Sequence, residues 1–249
     1  KCYSDYEESY IVATHISNLK RSAPEGYNEY AVLYRTNAQS RILEESLRKR
    51  NIPYRIYGGL SFYQRKEVKD AIAYFRLSIN PDDDMALTRV INYPTRGIGD
   101  TTLKKLSRCA TDNRVSIWVV INNLTQYNPG VNTGTAKKLL AFRDLIQSFI
   151  DLNNEGKNAE EVAKQIIRDT QLLSMLLSDK TPESISKQEN LHELLNGVKE
   201  FISNKLEEGS TENISLTDFL AEVSLATDQD TQDGEGEKIT LMTVHAAKG

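Results

Sequence analysis

Two short apolar segments that read as buried strands, YAVLYR (Tyr30–Arg35) and ITLMTV (Ile239–Val244), stand near opposite ends of the chain. A third strand-like segment, YRIYGG, closes on Gly58 and Gly59. From there to about Leu225 the apolar residues recur at helical spacing, with no convincing strand. This order predicts an α/β layer that the chain leaves and re-enters, with an all-α body of about 150 residues inserted between.

The local signals agree. Val12, Ile16 and Leu19 share one face of a helix over about Ser9–Lys20, and the loop SAPEGYNE follows. A second helix, Ser40–Arg50, turns Ile42, Leu43 and Leu47 inward and its arginines outward, and Asn51 and Pro53 end it. Val68, Ile72, Phe75 and Ile79 form a stripe on a helix over about Tyr63–Ile79. Further helical periods include TTLKKLSRCA, TAKKLLAFRDLIQSFIDL, AEEVAKQIIRDTQLLSMLL and SLTDFLAEVSLA, the last capped by Ser215 or Thr217. The acidic run Asp228–Glu237 reads as a flexible link and a candidate hinge, or as a plain solvated loop.

Composition narrows the class. With 27% charged residues and 39% hydrophobic ones, the 249-residue chain is globular. No apolar run approaches the roughly 20 residues of a bilayer span, so no membrane partner is expected, and the start carries no secretory signal. Cys2 and Cys109 match no metal-ligand spacing, nor do the three histidines, so no metal site is expected and the thiols suit the cytoplasm. The net charge of −4 hides an asymmetry. Arg35–Arg76 holds ten basic and four acidic side chains, a balance of +6, whereas Glu207–Glu237 holds ten acidic and no basic ones. Such a field can hold a polyanion at one end, although two solvated helix faces of opposite sign would look the same.

Four segments carry candidate chemistry. VLYRTNAQSR brings Arg35, Asn37, Gln39 and Arg41 to the C-terminal end of a strand, where open parallel sheets bind ligands. Guanidinium and amide groups there suit phosphate and base contacts, and a capped strand-to-helix turn accounts for the same residues. In RIYGGLSFYQRKEVKDAIAYFRL, Phe62 and Tyr63 beside Arg65 and Lys66 could stack on bases, or could pack inward at a helix start. In NYPTRGIGDTTLKKL, a Gly97-Ile98-Gly99 turn before a helix starting near Thr101 resembles a helix-hairpin-helix. Such a turn offers backbone N–H groups to phosphate, with Arg96, Lys104 and Lys105 adding positive charge; an ordinary turn between helices is the alternative. In TLMTVHAAKG, a strand ends at Thr243, Val244 and His245 before small residues and Lys248, and His245 could donate to a phosphate or base.

Together and in this order the four segments resemble motifs IVa, IVb, IVc and a shortened motif V of the UvrD/PcrA/Rep family of superfamily 1 DNA helicases. NPDDDMALTRVINYPTRGIG, SKQENLHELLNGVKEF and SLTDFLAEVSLATDQD also look like family sequence, so the resemblance covers most of the chain. It implies residues 1–75 and 237–249 as parts of a RecA-like, P-loop NTPase-type domain 2A, with residues 76–236 as the inserted helical domain 2B. It also implies single-strand contacts at Arg35, Asn37, Gln39, Arg41, Thr243 and His245. Duplex contacts would fall at Arg96, Gly97, Ile98, Gly99, Thr102 and Lys104, with Phe62, Tyr63 and Arg65 as further candidates. The parent would be an ATP-dependent helicase translocating 3′ to 5′, with ATP and Mg²⁺ bound between domains 1A and 2A. Its partners would be DNA at a single-strand–duplex junction, domains 1A and 1B, and repair or transcription proteins. The chain has no G-x-x-x-x-G-K-[ST] and no Asp-Glu pair on an apolar strand, so no catalytic residue is assigned and the piece alone is expected to be inactive. Two other readings remain: a non-enzymatic DNA-binding or protein-docking module, and part of a recombination helicase-nuclease.

Overall fold

Three strands carry the α/β layer: β1 (Ala31–Tyr34), β2 (Tyr54–Ile56) and β3 (Ile239–Thr243). They run parallel in the order β1-β3-β2 in a computed structural model that describes residues 2–22, 26–231 and 236–248. The last strand in sequence therefore lies between the first two. Val32 pairs with Leu241 and Tyr34 with Thr243 on one side, and Ile56 pairs with Leu241 on the other. The central position explains why Ile239 and Leu241 are fully buried. Alternation along the strands places Val32, Tyr34, Tyr54, Ile56, Ile239 and Leu241 in one core with Ala13, Ile16, Leu47 and Ile52. Ala13 and Ile16 come from α1 (Asp5–Ser22) and Leu47 from α2 (Ser40–Lys49).

Several elements differ from the sequence expectation. Helix α1 starts before Ser9 and ends after Lys20, with Asp5, Glu7 and Glu8 in its first turn and Lys20 and Arg21 in its last, signs that suit the helix dipole. On α2 the expected outward arginines include Arg41, which is instead buried. Helix α3 (Lys66–Leu77) is shorter than expected, because Arg65 is extended and separates it from a 3₁₀ turn at Phe62–Gln64. Ile79 lies beyond its end and is 37% exposed, while Ala71 and Tyr74 are buried in its place.

The helical part continues with α4 (Asp84–Val90), α5 (Asp100–Asn113), α6 (Ile117–Asn122), α7 (Leu124–Tyr127) and α8 (Thr133–Asn154). It ends with α9 (Ala159–Asp169), α10 (Leu172–Leu177), α11 (Pro182–Glu207) and α12 (Leu216–Thr231). Side chains of Asp83, Ser116, Asn132, Asn158 and Thr181 each accept an N–H of the following helix, a standard satisfaction of the first turn. Leu106, Ile121, Phe142, Ile146, Val162, Ile166, Leu194 and Val198 fill the interior between these helices. The segment expected as one helix, Ala159–Leu177, is broken at Gln171, whose φ of 63° is left-handed. Ser215 rather than Thr217 opens α12: its hydroxyl meets the N–H and carboxylate of Asp218, and its own N–H donates to that carboxylate. The acidic link is helical as far as Thr231, and residues 232–235 lie outside the described ones.

Two compact units result, one of residues 1–68 with 222–249 and one of residues 69–221. Both divides fall within a helix, α3 and α12, whereas the sequence reading placed them after residues 75 and 236. No described helix is long and apolar enough to cross a membrane.

Candidate nucleic-acid interface

In the first unit the C-terminal ends of the parallel strands gather the loops that follow them. The Val244 N–H donates to the Tyr34 carbonyl at 2.8 Å, and the Tyr57 N–H donates to the Leu241 carbonyl at 2.9 Å. Arg35, at the end of β1, is thereby brought beside Thr243 and His245, at the end of β3. Arg35, Asn37 and His245 are exposed, and Thr243 is half-buried with its hydroxyl accepting the Ala246 N–H at 3.1 Å. Gln39 has a different task. Its Oε1 accepts the N–H groups of Arg35 and Thr36 at 2.9 and 3.1 Å, so it shapes the loop that carries the candidates.

Four expected contacts in this unit turn inward. Arg41 is 2% exposed and pairs with Glu45 at 3.2 Å. Phe62 and Tyr63 are buried edge-to-face with centroids 5.2 Å apart, which leaves neither ring open to a base. Burial also pushes the Tyr63 hydroxyl pKa well up, opposed in part by Arg41. Arg65 is buried as well, donating to the Asn37 carbonyl at 2.7 Å and the Ser40 hydroxyl at 2.6 Å. Desolvation lowers its pKa and the Glu44 carboxylate opposes the shift. Beside them Glu44 is fully buried, and its two oxygens accept the Phe62 N–H at 3.1 and 3.3 Å. Arg65 thus supports Asn37 from beneath.

The second unit holds the hairpin expected at Asn92–Leu106. Gly97 has φ +68°, a conformation that a side chain would strain, and Gly99 precedes α5 in extended geometry. Asn92 Oδ1 accepts the N–H groups of both Arg96 and Ile98, at 2.9 and 3.0 Å, and so fixes the turn. The N–H groups of Gly97, Gly99, Asp100 and Thr101 have no protein acceptor among the described residues. Thr102 donates to the Gly99 carbonyl at 2.9 Å and is half-buried, and Lys104 is exposed. An array of unpaired N–H groups at the start of a 14-residue helix suits an anionic oxygen.

Two expected contacts change role here too. Ile98 is fully buried and its N–H is taken by Asn92, so it anchors the turn and has no donor left for a ligand. Arg96 donates to the carbonyls of Val90 and Pro94 at 3.1 and 3.2 Å and lies over the rings of Tyr74 and Phe142. Its charge braces the hairpin from within.

The sequence matches the UvrD-like helicase C-terminal domain across residues 1–249. The chain belongs to this family. Relatives include proteins named ATP-dependent DNA helicase PcrA: 38% identical over 251 residues in Leuconostoc citreum, and 37% over 252 in Bacillus subtilis (strain 168). These alignments cover 100% and 99% of this chain and 33% of each relative, so the chain spans about one third of the relatives' length.

Within this UvrD-like domain the structure adds residues that pattern reading passed over. Asn92 could have been found from its place four residues before Arg96 in a Pro-Gly turn, where Asn side chains organise backbone. Glu44 carries a weaker signal, being an acidic residue on the inward face of α2. Lys138 of α8, which donates to the Gly97 carbonyl at 3.1 Å, lies 41 positions away and has no local signature.

Proposed function

We propose that this chain is the 2A–2B portion of an ATP-dependent DNA helicase that moves 3′ to 5′ along one strand, working in the cytoplasm on repair or replication intermediates. Residues of the first unit then form part of the RecA-like domain 2A, and the second unit is the inserted domain 2B. Family membership and the printed activity of the relatives support this reading. The observation that carries the chain's own share of the work is the hairpin with four unpaired N–H groups at Gly97, Gly99, Asp100 and Thr101. These would hold a phosphate of duplex DNA without reading its sequence. Arg35, Asn37, Thr243 and His245, at the strand ends of the first unit, are the proposed contacts to a single strand.

The residues present do not fit an ATP–Mg²⁺ site. The sequence lacks a phosphate-cradling P-loop, and among the described residues no group of three or more His, Cys, Asp or Glu side chains could hold a metal ion. ATP and Mg²⁺ are accordingly assigned to the parent with domains 1A and 1B, and the 249-residue chain is expected to release no phosphate from ATP, with or without DNA. Turnover that rises with added DNA would contradict this assignment.

Binding is tested by fluorescence anisotropy with a labelled mixed-sequence duplex. Affinity is expected to fall steeply with salt, because each phosphate contact releases condensed counterions. A Gly97→Val/Gly99→Val variant is expected to bind about tenfold more weakly, since valine at positive φ distorts the turn. Undiminished binding by that folded variant would remove the hairpin from the account.

A further inference from the structure

The hairpin receives a cation from a distant helix. Lys138 lies in the second turn of α8, and its Nζ donates to the Gly97 carbonyl at 3.1 Å. The contact is close: a Cβ built on Gly97 would fall 2.5 Å from that nitrogen. An ammonium has three N–H donors, and Lys138 has no second protein acceptor among the described residues. The side chain is exposed and makes no ion pair there. Its charge therefore remains unneutralised beside a turn whose own N–H groups are also unpaired. On the same turn Asp100 carries a negative charge, so a phosphate arriving there gains from a nearby cation. Arg96 does not supply it, being engaged inside the hairpin.

We propose that Lys138 is a phosphate-binding residue of the hairpin. One N–H on the Gly97 carbonyl fixes the ammonium at the turn, and the remaining donors take a backbone phosphate oxygen of duplex DNA. The Gly97 carbonyl acts as a positioning group for the lysine. This assignment rests on the hairpin being a duplex contact, and it divides the site between two helices remote in sequence.

The test measures duplex affinity of the whole 249-residue chain over a salt series for the wild type and four variants. Lys138→Gln keeps an amide donor for the Gly97 carbonyl and loses the charge, Lys138→Ala loses both, and Lys138→Arg keeps both. Lys157→Ala removes an exposed positive charge elsewhere in the same unit. Lys138→Gln and Lys138→Ala are expected to weaken binding about five- to tenfold at low salt, and to reduce the slope of log K against log salt by about 1. Lys138→Arg should retain most affinity and the full slope, and Lys157→Ala should match the wild type. Thermal unfolding confirms that each variant folds. Because the residue is exposed, Lys138→Gln and Lys138→Arg decide the matter if the alanine variant is damaged. Wild-type affinity and slope in Lys138→Gln would overturn the proposal while leaving the hairpin itself in place. Absence of salt-sensitive duplex binding by the wild type would remove the hairpin reading, and the lysine with it.

Discussion

The Tyr74 hydroxyl lies within hydrogen-bond reach of the Val90 and Tyr93 carbonyls, with its ring beneath the Arg96 guanidinium. Burial raises its pKa from 10.0 to about 12, and Arg96 opposes part of that rise. A raised folded pKa means that the stabilisation is whole below pH 10 and is lost as pH climbs through about 12. Tyr74→Phe is therefore expected to cost about 1 kcal/mol near neutrality, the worth of one net hydrogen bond. It should also make the alkaline decline in stability shallower. Urea denaturation of both proteins across the alkaline range checks this, and identical declines would refute it. Glu44 sits in a more exposed thermodynamic position despite its burial, since its carboxylate serves the Phe62 N–H and lies 3.7 Å from Arg48. Glu44→Ala leaves the Phe62 N–H without its acceptor and takes a buried countercharge from Arg48, which keeps the Tyr54 hydroxyl, and a loss of about 3 to 5 kcal/mol is expected from urea midpoints. A loss below about 1 kcal/mol would show that the inward packing of Phe62 does not depend on it.

At the scale of elements, α12 is started by a reciprocal cap in which Ser215 and Asp218 each bind the other's N–H. Those Ser215 hydrogen bonds hold the Asp218 carboxyl below the usual carboxylate range. The stabilisation is present above that range and is lost as pH falls through the lowered value. Ser215→Ala should cost about 1 kcal/mol at neutral pH and progressively less in acid, as thermal melts over a pH series would reveal. A pH-independent cost would separate the cap from the carboxylate. The sequence left Ser215 and Thr217 both open as the cap; the local pattern that separates them is the acidic Asp218 three positions after Ser215, where Thr217 has Leu220. The break at Gln171 was not legible, since Ile166, Ile167, Leu172 and Leu176 are all buried and apolar spacing runs through the interruption. Nor was the fate of Phe62 and Tyr63: aromatics beside cations look alike whether they face solvent or core, and Glu44, which holds the Phe62 N–H, is 18 positions away. The hairpin's glycines announced themselves through turn chemistry, whereas Lys138 belongs to it only through packing.

For the molecule as a whole, the two units are built by different routes. The first depends on β3 settling between β1 and β2, which pairs residues about two hundred positions apart, so its core forms only after a large loop is closed. The second is assembled from helices packed against near neighbours in sequence, such as α5 on α6 and α10 on α11. Each unit has its own buried core, which permits the two to respond separately to damage. The single tryptophan, Trp118, is buried in α6 and so reports on the second unit alone. Leu241→Ala opens the centre of the sheet, and Phe142→Ala opens the helical core; each is expected to cost about 3 kcal/mol in its own unit. In urea, Leu241→Ala should bring part of the far-ultraviolet circular dichroism change to lower denaturant while the Trp118 fluorescence midpoint stays in place. Phe142→Ala should move the Trp118 midpoint. If both variants displaced both signals equally, the chain would be one cooperative block, and the helical unit could not change state while the sheet stayed intact.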